Sequence, residues 1–324
     1  MCFNTYILTN IKNLACASSS ILIIAFSGLV FARSERYAPY WADVKSSYSW
    51  ENQLCTRLAA YRGLVKARIV TARTVEIEKA SRYVGEVDGL HLYETPVGNF
   101  WMPQANDLWS LSVILAEQEN EMYGGADGLG VRPGDVVIDA GAHVGLFART
   151  ALALGASKVI TFEVEPNAVR AQRKNLEKEI AEGRVIVLGK GVWFEEGTLP
   201  LVVVEGCSAC NSVTHNMPAA FDVPLTTIDK AMEELAIERV DFIKLDIENA
   251  EANALRGARY TIKKYHPRVA VALENSKMRV AYGYEVMGLM LDTFPGYRYV
   301  CGACTNPEKT ARVLPEILHF YPGP

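Results

Sequence analysis

The chain has no excess of basic residues. Its 324 residues hold 33 Lys and Arg against 37 Asp and Glu, a formal net charge of -4, so the sequence-independent pull that a basic domain exerts on phosphate backbones is missing. No nucleic acid is expected as a partner. Internal repeats and low-complexity tracts are also absent, which argues against solenoids and long disordered arms. With 50% hydrophobic and 22% charged residues, the chain can bury a full core in one large domain with an appendage.

Cysteine is too sparse for a disulfide scaffold. There are 7, an odd number, and four form two short pairs, Cys207/Cys210 and Cys301/Cys304. A four-thiolate zinc site usually brings its two doublets closer in sequence than these stand, so buried or loop thiols are expected ahead of zinc. Disulfides are expected least of all if the domain faces the cytosol.

Charge is missing altogether from Leu14 to Ala32. The apolar kernel, Ile21 to Ala32, is short for a span, but the uncharged stretch as a whole approaches a bilayer thickness. Residues 1–33 therefore read either as a signal peptide, with a small-residue site at Val30-Phe31-Ala32, or as a signal anchor. Arg33 and Arg36 after the stretch outnumber Lys12 before it, favouring a cytoplasmic C-terminal side. Possible membrane anchoring through residues 14–32, with the catalytic domain facing the cytoplasm, is the expectation; a plain cytoplasmic chain is the alternative.

What the sequence does have is VVIDAGAHVG, Val136 to Gly145. Val136, Val137 and Ile138 suit a strand buried on both faces, Asp139 ends it, and Gly141 opens a loop before the apolar helix Leu146 to Leu154. A dinucleotide fingerprint places glycines directly after the strand to receive a pyrophosphate. Here a carboxylate comes first, which favours a ligand with a positive group, and S-adenosylmethionine fits: it has an ammonium, a carboxylate for loop N–H groups and no phosphate. Asp139, Gly141, Ala142, His143 and Gly145 are the candidate residues of this loop.

A second strand, Lys158 to Phe162, ends in Glu163, 24 residues after Asp139, close to the ~20 expected before an acid that holds a ribose diol. Glu165 is a rival, but beside Pro166 it reads as the start of the next helix, Asn167 to Ala181. Val164 and Val192 are expected near the adenine, Val192 following a third strand, Arg184 to Leu188. Before this core, residues 34–90 read as a helical region, with the helix running from Ser46 to about Val84. Leu90 to Met102 reads as a hairpin, and Asp107 as the cap of a helix to about Tyr123. Trp101, Trp109 and Tyr123 are expected to pack more than to touch substrate.

After an extra strand, Leu199 to Val204, a polar loop carries Asn211, Ser212 and His215. Pro224 to Asp229 leads into a helix ending near Ala236, and Asp241 to Glu248 is the fourth strand. Its Lys244, Asp246 and Glu248 share one face by the two-residue period. Burying such groups singly is costly, so they are expected to be paired or to lie at the open strand end. A helix Asn253 to Lys264 and a fifth strand, Val269 to Leu273, lead to Glu274, and Tyr297 to Cys301 and Val313 to Tyr321 close the sheet. Asp246 is the first candidate to orient or deprotonate an acceptor, with Glu248, Glu274, His143 and His215 behind it and Lys244 holding the carboxylates. No metal is assigned, although Asp246, Glu248 and Glu274 leave a metal-assisted variant open.

Four blocks together resemble the FkbM family of S-adenosylmethionine-dependent methyltransferases over roughly residues 91–280: DAGAHVG at Asp139, TFEVEP at Thr161, LTTID at Leu225 and FIKLDIENAEANALRGA at Phe242. The chain departs from the family's pattern at His143, where Asn is frequent, and at Asn249, where Gly is usual. The resemblance implies an α/β class I methyltransferase fold over residues 91–324, Rossmann-like, with a seven-stranded, mostly parallel sheet and helices on both faces. It further implies transfer of a methyl to a small-molecule hydroxyl acceptor. A nicotinamide-dependent oxidoreductase and a membrane-tethered protein that binds S-adenosylmethionine without catalysis are the alternatives.

Overall fold

The computed structural model describes residues 55–124, 128–214, 218–273, 279–305 and 314–323. The uncharged stretch at residues 14–32, Glu274 and His215 lie outside them, and none of the described helices is long and apolar enough to cross a membrane.

The core is a seven-stranded mixed sheet. Its strands are β4 (Val136–Ala140), β5 (Lys158–Phe162), β6 (Val185–Leu188), β10 (Phe242–Leu245), β11 (Arg268–Ala272), β12 (Tyr297–Cys301) and β15 (Ile317–Pro322). They lie side by side in the order β12-β15-β11-β10-β4-β5-β6. Strands β4, β5, β6, β10 and β11 pair in parallel, whereas β15 runs antiparallel to both β11 and β12. The strand order reverses beside β4, so the ends of β4, β5 and β10 open onto a crevice where ligands bind in such sheets.

Period-two alternation splits the sheet's side chains between two cores. Ile138, Ile160 and Ile243 join one cluster with Ile228, Leu255 and Met290 from α6 (Ile228–Glu234), α7 (Glu251–Arg256) and α9 (Arg279–Thr293). Val137, Val159 and Phe242 join the other with Phe147 and Ala151 of α3 (Leu146–Ala153). Helices thus cover both faces, which the continuous apolar strands require. The remaining helices of this core are α4 (Pro166–Asn175), α5 (Glu177–Ala181) and α8 (Arg259–Tyr265). Helices α7 and α8 replace the single expected helix because Gly257 breaks it: a Cβ there would lie 2.0 Å from the Trp193 carbonyl oxygen.

Two smaller layers flank the sheet. Before it come α1 (Arg57–Ala80), the meander β1 (Arg82–Val87), β2 (Leu90–Thr95) and β3 (Gly98–Met102), and α2 (Leu108–Glu119). The expected hairpin is β2–β3, closing at Thr95 opposite Gly98. The expected helix is shorter than the reading from Ser46 to Val84, since Arg82 to Val87 turns into an edge strand paired with β2. This meander runs across residue 90 and packs, with α2, in a third cluster against Val144, Leu146 and Ala171. After β6, a three-stranded sheet forms from β7 (Gly191–Val192), β9 (Phe221–Thr226) and β8 (Gly197–Leu201), in that order. β9 is a strand where the sequence suggests only an approach to α6. A two-stranded piece, β13 (Cys304–Thr305) with β14 (Leu314–Pro315), precedes β15.

The cysteines differ from the thiol expectation. Cys207 is bridged to Cys210, and Cys301 to Cys55, a pairing across 246 residues that straps the start of α1 to β12. Cys304 lies outside both bridges and is buried. The two doublets therefore do not combine, and among the described residues no three His, Cys, Asp or Glu converge as a metal-ligand set.

Candidate active site

The glycine loop after β4 is held by its neighbours. Gly141 and Ala142 N–H groups both donate to the Phe162 carbonyl at 3.0 Å, tying the loop to the end of β5. Gly141 has φ +76°, and a Cβ there would sit 1.8 Å from the Asp246 carbonyl oxygen, so only glycine lets the ends of β4 and β10 approach. His143 and Gly145 also have positive φ, 49° and 88°, and Gly145 starts α3.

Glu163 stands just past β5. Its Oε2 accepts from the His143 N–H at 2.8 Å, and its Oε1 from Val164 and Glu165 N–H at 2.8 and 2.9 Å. Burial pushes this carboxyl above its usual range, with the three N–H groups working the other way. Glu165 instead caps α4, accepting from Asn167 and Ala168 N–H. The division expected between these two acids follows from Pro166, which opens α4 and leaves Glu165 at the N-cap position.

Asp139 occupies a place different from the one its position suggests. It is fully buried, pairs with Lys244 at 3.1 Å, and is not on the cavity wall formed by its loop. The reason is register: Asp139 and Lys244 are direct partners on β4 and β10, so the carboxylate meets the ammonium before it can reach the crevice. Lys244 Nζ also donates to the Gly141 carbonyl at 3.0 Å and lies 3.6 Å from Asp246 Oδ2. Burial opposes its charge, but Asp139 and Asp246 outweigh that and hold Lys244 above its ordinary value.

A cavity of about 410 Å³ lies over these strand ends, within the range of small-molecule sites. Gly141, Ala142, His143, Glu163, Val164 and Val192 line one part; Lys244, Asp246 and Glu248 line another. Gly145 is not on the wall and stands at the start of α3. Asp246 Oδ2 accepts from the Tyr123 hydroxyl at 2.6 Å. Glu248 and Asn249 take left-handed backbone, φ 53° and 73°, a conformation Asn adopts more readily than most residues. Behind this turn Glu251 is buried, accepting from Ile247 N–H at 2.9 Å and the Tyr282 hydroxyl at 2.6 Å, with burial pushing it up to about 7.

Residues 207–213 form a further part of the wall. Ser212 and Thr214 hydroxyls donate to the Glu248 carbonyl at 2.9 and 2.7 Å, and Asn211 Oδ1 accepts from Val204 N–H at 2.8 Å. Ser208 hydrogen-bonds to the Asp107 carboxylate through both N–H and hydroxyl and to His143 Nε2 at 2.6 Å. Asp107 does not cap α2 as its position suggests: it makes no side-chain cap bond because its carboxylate is turned to Ser208.

Sequence reasoning missed Glu117. It stands in the last turn of α2 on the cavity wall, and burial, then Asp246 and Glu316, push its carboxyl up to about 8. Trp109 and Tyr123 also line the cavity, whereas Trp101 does not; it packs under Lys174, whose Nζ is 4.2 Å from its ring. Glu117 has no distinct signal in the sequence, being one of two acids in the polar last turn of α2.

The strand order and the acid-lined crevice over its switch point define a methyltransferase-like α/β fold. Residues 139–299 match the methyltransferase FkbM domain, and S-adenosylmethionine is the cofactor that this match indicates. No curated protein matches the chain. Among solved structures, it is similar to a methyltransferase FkbM from Methylobacillus flagellatus KT, at 16% identity and TM-score 0.43 over 68% of this chain and 56% of that one. It is also similar to an O-methyltransferase from Bacillus cereus in complex with S-adenosylhomocysteine, at 13% identity and TM-score 0.37 over 64% and 80%. An rRNA methylase from Streptococcus thermophilus aligns at 12% identity and TM-score 0.36 over 60% and 90%. The chain spans little more than half the length of the first of these.

Proposed function

We propose that the chain transfers a methyl group from S-adenosylmethionine to a hydroxyl of a small acceptor, such as a sugar or polyketide. One observation carries this reading: Glu163 past β5 and Asp246 past β10 line a single cavity, joined by the glycine loop between them. The residues suit the cofactor. Glu163 would receive the ribose hydroxyls, Gly141, Ala142 and His143 the methionine part, and Val164 and Val192 the adenine. When bound, S-adenosylmethionine supplies an electrophilic methyl group on a sulfonium.

The chain's own contribution is alignment and proton handling. Holding two reactants in line is worth about 7–11 kcal/mol in well-oriented systems. Asp246, held by Tyr123 and Lys244, is fixed in place and suits orienting an acceptor hydroxyl. Glu117, with a carboxyl at about 8, sits near the operating range and suits accepting its proton. Five carboxyl side chains and two lysines line the cavity, which favours neutral or cationic acceptors over phosphate-bearing ones and supports the expectation of no nucleic-acid substrate.

The test is mass spectrometry of a metabolite extract and of total RNA, each incubated with the purified chain and isotopically labelled methyl donor. A labelled small hydroxyl compound is expected and unlabelled RNA with it. Label in RNA, or none in either pool, would sink the assignment of acceptor class.

A further inference from the structure

The loop that walls the cavity carries a thiol pair for which methyl transfer has no use. Cys207 and Cys210 are joined across Ser208 and Ala209, both cysteines are half-buried, and both are on the cavity wall. Ser208, enclosed in that small ring, connects two distant parts of the site: the Asp107 carboxylate before α2 and His143 of the glycine loop.

The protons in this chain of bonds can be assigned. Ser208 has one hydroxyl hydrogen, and the carboxylate of Asp107, which can only accept, takes it. The Ser208 oxygen must then accept from His143, so His143 carries its proton on Nε2. Burial holds the ring neutral, with its pKa down at about 4. Nδ1 is left as a buried acceptor with no partner among the described residues. The peptide N–H of the same His143 donates to Glu163, the acid proposed for the cofactor ribose. Whatever positions Ser208 therefore positions His143 and, through its backbone, Glu163.

We propose that Cys207 and Cys210 form a redox control on the methyl-donor site: bridged, they hold Ser208 against His143 and favour cofactor binding; reduced, they release it. This rests on the reading of the cavity as the S-adenosylmethionine site. The exchange partner is a dithiol. One of its thiolates attacks a sulfur of the bridge and displaces the other as thiolate, giving a mixed disulfide. Its second thiolate then closes the reductant's own disulfide, and the two cysteines take up two protons as they are reduced. Because both cysteines are half-buried and line the cavity, a small dithiol entering it meets the bridge without unfolding the sheet. A reducing compartment would favour the open form and an oxidising one the bridged form.

The test is calorimetric titration of the full chain with S-adenosylhomocysteine, before and after incubation with a small dithiol, with mass-spectrometric thiol labelling to report which cysteines are reduced. Binding about fivefold weaker or more after reduction of Cys207 and Cys210 is expected, the lower end of ordinary coupling between sites. By reciprocity S-adenosylhomocysteine should lower the midpoint potential of the pair by about 20 mV, that same factor for a two-electron couple. The C207S/C210S variant should bind weakly with or without dithiol. The C55S/C301S variant should keep the response, separating this pair from the other bridge. Equal affinity in both states, with Cys207 and Cys210 labelled as thiols, or resistance of the pair to excess dithiol, would overturn the proposal. Absence of binding in either state would instead overturn the methyl-donor reading beneath it.

Discussion

Lys244 and Asp139 stand side by side on β10 and β4, with Nζ and Oδ1 3.1 Å apart and both side chains buried. Removing one partner strands a buried charge. Lys244→Met should destabilise the fold by about 3–5 kcal/mol in urea unfolding. Adding Asp139→Asn should recover a large part of that loss, since the orphaned carboxylate is then gone. Additive losses in the double variant would show that the pair is not the unit it looks.

Glu163 and Glu165, two residues apart, separate binding from folding. Glu163→Ala should weaken S-adenosylhomocysteine binding about tenfold or more, the scale of hydrogen bonds to a charged group. Glu165→Ala removes an N-cap and should cost about 1 kcal/mol of stability, with little change in affinity. Calorimetry and thermal unfolding of both variants check this, and the reverse pattern would exchange their roles.

Glu117 predicts a pH dependence of known sign. Its carboxyl is raised from 4.5 to about 8, so the folded chain keeps a proton that the unfolded chain releases. Stability from this group is full below about 4.5 and is lost as pH rises through about 8. As a proton acceptor, Glu117 should give a rate that climbs through the same region. Glu117→Gln should remove that limb of the profile, lower its plateau and flatten the decline in stability. An unchanged profile would take Glu117 out of the reaction.

Two left-handed glycines supply a matched pair. Gly141→Ala combines φ +76° with a Cβ 1.8 Å from a backbone oxygen, whereas Gly183→Ala meets nothing within 4 Å at φ +70°. The second should cost about 1–2 kcal/mol. The first should cost about 3 kcal/mol or more and abolish S-adenosylhomocysteine binding, as read by denaturation and calorimetry.

Much of the core was legible because β4, β5 and β6 are rich in β-branched residues and acids stand at the ends of β4, β5 and β10, a pattern that local sequence carries. Asp246 and Glu163 were found at the crevice for that reason. Asp139 was not, because its burial depends on Lys244 lying opposite it, a register set 105 residues away. β1 read as helix because an exposed edge strand buries almost nothing and so leaves no period to see. Glu117 was hidden for the same reason as Asp139: its carboxyl is shaped by burial and then by Asp246 and Glu316, which only folding brings near. The Cys55–Cys301 bridge has no local signature at all.

The helix bearing Glu117 and the turn bearing Tyr123 precede the matched domain, which begins at residue 139. One part of the cavity wall, Trp109 to Tyr123, is therefore supplied from outside the stretch that resembles the family, and the rest, Asp246 and Glu248 included, from within it. A likeness confined to residues 139–299 leaves the Glu117 side of the cavity undescribed and carries no information on what that side admits.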